Sequence, residues 1–187
     1  MLKYLKFPVL ALAVSLLGTA SFAPNWGIRF DQMPVGTSYE TKKQNGDRIV
    51  SKFVGKQGKY YIVEDTLLKT GRKFRVKYNA AGHFVSVTNV SGGSSYRVKQ
   101  TPHSCYMVVG DCMQFASGST RNTGRYLYSI KQVSATKRVG TWRRVTTEET
   151  QDFKYTIGKY NLVIDSEHKN GSRTFTNKIT RITEPNG

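Results

Sequence analysis

The segment RKFRVKYN, residues 72–79, decides how the rest of the chain is read. Phe74, Val76 and Tyr78 alternate with Lys73, Arg75 and Lys77. Successive side chains of a strand point to opposite faces, so this segment has one packed face and one charged face. A strand buried on both faces, as in a parallel sheet, would not carry cations at every second position. The segment therefore predicts a half-buried antiparallel strand.

Its neighbours share this character. No stretch shows sustained helical periodicity, and short β-branched and aromatic runs recur between Gly, Asn and Asp. The predicted strands are 37–44, 48–54, 59–65, 72–78, 83–89, 95–100, 105–109, 112–116, 124–131, 139–146, 152–157, 159–165, 172–176 and 178–183. Asn45-Gly46, Ala81-Gly82 and Asn170-Gly171 supply turn residues that tolerate positive φ. In KYYIVED, residues 59–65, Tyr61 and Val63 alternate with Tyr60, Ile62 and Glu64, so both faces carry apolar groups and the core side is not fixed.

Two segments resemble each other at an offset of 100. GKYYIVED (58–65) and GKYNLVID (158–165) share Gly, Lys, Tyr, Val and Asp, and Lys69 and Gly71 return as Lys169 and Gly171. GTSYE at Gly36 resembles GTWRR at Gly140. One small meander cannot bury its apolar face alone, so related copies would share a core. The expected fold is all-β: an antiparallel barrel or a two-sheet sandwich built from imperfectly repeated β-meanders. It forms one domain over residues 24–187, with related segments near 36–78 and 140–176. A lipid-facing barrel needs apolar residues at alternate positions of strands about ten residues long. Lys, Arg and Thr occupy many of those positions here, so the protein is not expected to be integral to a membrane.

The amino terminus reads as an address. Lys3 and Lys6 precede an apolar run, residues 9–18, and small residues Ser21 and Ala23 follow. These are the three parts of a secretory signal, which assigns residues 1–23 to export and places the remainder in the periplasm or outside the cell. Residues 24–35 read as an arm leading into the domain. The 187-residue chain has a formal charge of +17. Two lysines and no acid fall within residues 1–23, which leaves +15 for the rest. Cys105 and Cys112 are the two cysteines, and an oxidising compartment favours a disulfide between them. So small a loop is expected to contribute about 2–3 kcal/mol, with an irregular turn near Gly110-Asp111.

Catalytic patterns are scarce. His83, His103 and His168 are isolated, and neither a metal-ligand spacing nor a Gly-x-Ser-x-Gly elbow occurs. Gly92-Gly93-Ser94-Ser95 precedes no helix and reads as a turn. Glu64 and Asp65 are adjacent, so on a strand they face opposite ways and make no carboxylate pair. Glu148, Glu149 and Asp152 read as a solvated loop. The expectation is a non-catalytic protein that needs no cofactor or metal.

The basic excess points to an anionic partner. Lys73, Arg75 and Lys77 form a stripe along one strand, and Lys59 with its counterpart Lys159 marks a second patch. Alternatively, a hollow interior would place Tyr60, Tyr126 and Tyr160 around an apolar pocket. Cations beside tyrosines also suit single-stranded nucleic acid, but export argues against it and favours an anionic lipid, an anionic glycan or an acidic protein. The expected function is therefore an exported binding module for an anionic cell-envelope component. A structural or assembly protein of the envelope is the second reading, and a hydrolase with a site assembled from distant residues the third.

Overall fold

The computed structural model describes residues 26–92, 96–98, 105–117 and 124–185. The predicted signal, His103 and most of the 92–95 run lie outside these residues. The described chain forms β1 (Ser38–Lys43), β2 (Arg48–Gln57), β3 (Tyr60–Leu67), β4 (Arg72–Tyr78), β5 (Phe84–Asn89) and β6 (Tyr96–Val98). It continues with β7 (Gly110–Ser117), β8 (Gly124–Gln132), β9 (Lys137–Arg144), β10 (Thr150–Ile157), β11 (Val163–Asn170) and β12 (Arg173–Thr183). Every strand pairs antiparallel with its neighbours in the chain, and β1 also pairs with β12 through Tyr39 opposite Ile182.

This topology corrects the expected fold class. There is one sheet, so the two-sheet sandwich is excluded. Eleven strands run continuously in the order β7 to β12, then β1 to β5. They leave β5 and β7 as the edges of a strongly curled sheet. Among the described residues only the three-residue β6 lies between those edges, opposite Ser86 and Val87 on one side and Ser117 and Ala116 on the other. A barrel of equivalent repeated staves is therefore not what forms: the ring of pairings passes through this one short strand. The similar segments also differ in backbone. Gly58 takes φ 58° in the β2–β3 turn and Tyr60 begins a strand. Gly158 is extended, and Tyr160 (φ 57°) and Asn161 (φ 56°) are left-handed within the 3-10 turn Lys159–Asn161.

Other strand predictions shift for local reasons. Residues 105–109 are not a strand. The disulfide Cys105–Cys112 folds Cys105–Met107 into a 3-10 turn. The predicted strands 172–176 and 178–183 are one long β12, because residue 177 is a paired asparagine rather than a turn. Asp152 lies within β10, not in a loop. The turns at Gly46, Gly82 and Gly171 all carry positive φ.

Register assigns the two faces. Phe74, Val76 and Tyr78 stand opposite Asp65, Val63 and Tyr61, and this row faces the interior. Tyr60, Glu64, Lys73, Arg75 and Lys77 occupy the outer face, and Ile62, in the same alternation, is nevertheless buried. The interior is filled at one end by the arm. Trp26, Phe30 and Met33 are buried, and Phe30 sits 5.0 Å from Phe53, 5.1 Å from Tyr61 and 4.9 Å from Tyr78, ring centre to ring centre. Ile28 touches both apolar clusters, one around Phe53, Val63 and Val76, the other around Ile130, Phe153 and Ile157. Burying these side chains in a continuous core offsets the entropy of ordering an irregular segment.

Backbone contacts seat the arm. Ile28 N–H donates to Gly82 O, and Arg29 N–H donates to Tyr160 O. Asn161 Nδ2 donates to Gly27 O. A Cβ on Gly27 would lie 1.7 Å from Ala81 O, and one on Gly82 would lie 2.0 Å from Ile28 O, so both glycines permit backbone approach. Among the described residues no helix is long and apolar enough to cross a membrane.

Candidate functional site

The stripe predicted on β4 lies on the outer wall formed by β1 to β4. Lys73, Arg75 and Lys77 alternate there as the sequence requires. Lys52, Glu64 and Arg75 form a row across three strands, and Arg75 Nη2 donates to Glu64 Oε1 at 2.9 Å. Arg48 pairs with Glu40 at 3.2 Å. Those two cations are neutralised by their neighbours. Among the described residues Lys42, Lys52, Lys73 and Lys77 form no ion pair, so the wall keeps a positive excess.

Lys59 joins this wall at its edge. Lys59 Nζ lies 5.5 Å, and Lys77 Nζ 5.7 Å, from the centre of the Tyr60 ring. The β2–β3 turn carries Lys59 over the ring, and β4 brings Lys77 from the neighbouring strand. The ring thus attracts two ammonium groups, neither of which forms an ion pair among the described residues. Lys159 does not form an equivalent patch. Its ammonium and the Tyr160 hydroxyl both donate to Glu184 Oε1. These hydrogen bonds hold the Glu184 carboxyl below its usual range and raise Lys159. This cluster ties the chain after β12 to the turn that grips the arm.

The three tyrosines predicted around a pocket do not converge. Tyr60 faces outward, Tyr126 packs against Trp142 at 5.5 Å, and Tyr160 packs on the core around Phe53. The interior near the arm is filled by side chains. Arg138 is buried there with its guanidinium 5.2 Å from the Trp26 ring, and its Nη1 donates to Ser134 O at 2.7 Å. Burial lowers its pKa.

Cys105 and Cys112 are bridged, and Cys105 N–H donates to the buried Gln114 Oε1 at 2.8 Å. The bridge places Met107 against Trp26 in the core. Its role here is structural.

Concavities away from the cationic stripe lie in two regions of the described residues. One crosses the outer face of β7 to β10, with Asp111, Ser129, Thr141 and Asp152 in one cross-strand row. Its two carboxylates are three strand spacings apart, about 14 Å, beyond the reach of paired acid–base work on one bond. The other lies at the rim between β1 and β12 and includes Lys43, Arg173 and Phe175. Sequence reading missed this rim because it divided β12 at residue 177. The alternation of Phe175, Asn177 and Ile179 was the available signal. Among the described residues no group of three or more His, Cys, Asp or Glu side chains could hold a metal ion. His83 is fully buried beside the β4–β5 turn, and His168 lies beside the stacked rings of Phe153 and Tyr155, where burial lowers its pKa. No family model, curated protein or solved structure matches this chain.

Proposed function

We propose that the protein is a non-catalytic binding module that holds an anionic component of the cell envelope against the outer wall of β1 to β4. The observation that carries this reading is the unneutralised set Lys42, Lys52, Lys73 and Lys77 on one side of a single sheet, with Lys59 at its edge. Strand pairing fixes the spacing of these cations, about 4.8 Å between strands and about 6.8 Å along one strand between residues on the same face. Such an array suits a partner with many negative charges, such as an anionic lipid surface, a charged glycan or an acidic protein segment. Tyr60 gives the array a flat apolar element beside two ammonium groups. The envelope setting rests on the export signal read in residues 1–23.

The test is binding to vesicles containing phosphatidylglycerol and to dextran sulfate, at low and high salt. The double variant Lys73→Glu, Lys77→Glu is expected to lose about tenfold in affinity at low salt, and the wild-type protein to lose binding as salt is raised. Both substitutions are on the outer face, so thermal unfolding should change little. Equal binding by wild type and variant, or salt-insensitive capture of a single protein from an envelope extract, would overturn the reading.

A further inference from the structure

The rim between β1 and β12 combines three features. It is concave, with a volume of about 510 Å³. It carries an aromatic ring, Phe175, that is 48% exposed although its strand register turns it to the inner face. It also carries two cations, Lys43 and Arg173, that form no ion pair among the described residues, and its lining includes no carboxylate.

The register explains how the ring comes to be there. Phe153 on β10 stands opposite His168 on β11, and His168 stands opposite Phe175 on β12. Phe153 belongs to the buried core, and its ring lies 6.3 Å from that of His168. A row of rings thus leads from the core toward the rim, at the end of the sheet opposite the arm. The core end of that row is packed. The rim end is not, and polar Asn45 and Asn177 flank it.

We propose that this rim binds a small amphiphilic anion, its alkyl chain against Phe175 and its carboxylate or other anionic head at Lys43 and Arg173. The volume falls within the range of roughly 300–1,000 Å³ usual for small-ligand pockets, and the mouth of a curled sheet is a common place for one. A neutral apolar ligand would leave both cations without a partner. A fully hydrophilic anion would leave the phenyl ring in water. An amphiphile with one charged end satisfies both, because apolar area leaves water while the head gains charge-assisted hydrogen bonds. This proposal uses none of the residues of the outer wall and does not depend on a polyanion binding there.

Isothermal titration with sodium dodecanoate, below its aggregation threshold, tests the site on the full chain lacking residues 1–23. Saturable one-to-one binding is expected, with hexanoate at least tenfold weaker. Phe175→Ser should weaken dodecanoate at least fivefold. The pair Lys43→Gln, Arg173→Gln, at a half-buried and an exposed position, should weaken it comparably and remove most of its salt dependence, and this pair remains informative if Phe175→Ser proves unstable. Lys73→Glu with Lys77→Glu should leave dodecanoate affinity unchanged while impairing vesicle binding, which separates this site from the wall. The proposal is overturned if dodecanoate shows no saturable binding, if chain length has no effect, or if the rim variants bind as the wild type does.

Discussion

At the scale of single residues, Asp65 is the most informative. It occupies the inner face between Ser51 on β2 and Phe74 on β4, where an acid is out of place. Burial raises its pKa above the ordinary carboxyl value, against the opposing effect of the hydrogen bond from Ser51. Between the usual value and the raised one, the folded protein keeps a proton that the unfolded chain has released. The contribution of Asp65 to stability therefore declines as pH rises through that window and is greatest below it. Asp65→Asn is expected to flatten this decline and to match or exceed the wild type at neutral pH. Thermal melts of both proteins from about pH 3 to about pH 7 check it. Parallel curves for the two proteins would show that Asp65 is not the source. The alternation in KYYIVED placed Glu64 and Asp65 on opposite faces but could not say which of them was inside. That depended on Phe53 and Val76, which come from other strands and stand opposite Val63.

At the scale of elements, the arm from Trp26 to Met33 replaces what another strand or helix would do in filling the interior. It has no regular secondary structure, yet it supplies three large buried side chains. Phe30→Ala removes a ring that meets Phe53, Tyr61 and Tyr78, and leaves a void the rigid strands around it cannot close. The expected loss is about 3–5 kcal/mol, read from the denaturant midpoint. A loss below about 1 kcal/mol would mean that the arm is dispensable to the core. The strand β4 was legible from its alternation alone, because one charged and one packed face leave a single solution. The arm's destination was not legible. Its apolar residues follow no period, and its place is set by Gly27 and Gly82, whose missing side chains admit a backbone contact between segments distant in sequence.

At the scale of the whole molecule, the curled sheet has one thin place. β6 holds two residue pairs on each side, whereas β2 and β3 pair along eight positions. Amide exchange at Arg97 and Val98 is expected to be at least about a hundredfold faster than at Ile62 and Val63, since local opening costs least where the fewest hydrogen bonds break. Equal protection would mean that β6 opens only with global unfolding. The sequence by itself determined that the protein is antiparallel β, that its turns lie at glycines 46, 82 and 171, that its outer faces are basic and that its two cysteines can pair. Those properties are local, fixed by backbone sterics, alternation and residue count. Only the tertiary structure decided that there is one sheet and not two, that the two similar segments adopt different backbones, and that Lys59 and Lys77 share the Tyr60 ring while Lys159 meets Glu184. Each of these depends on which strands lie side by side. Pairing is set by packing summed over the whole interior, and no single stretch of the chain contains that sum.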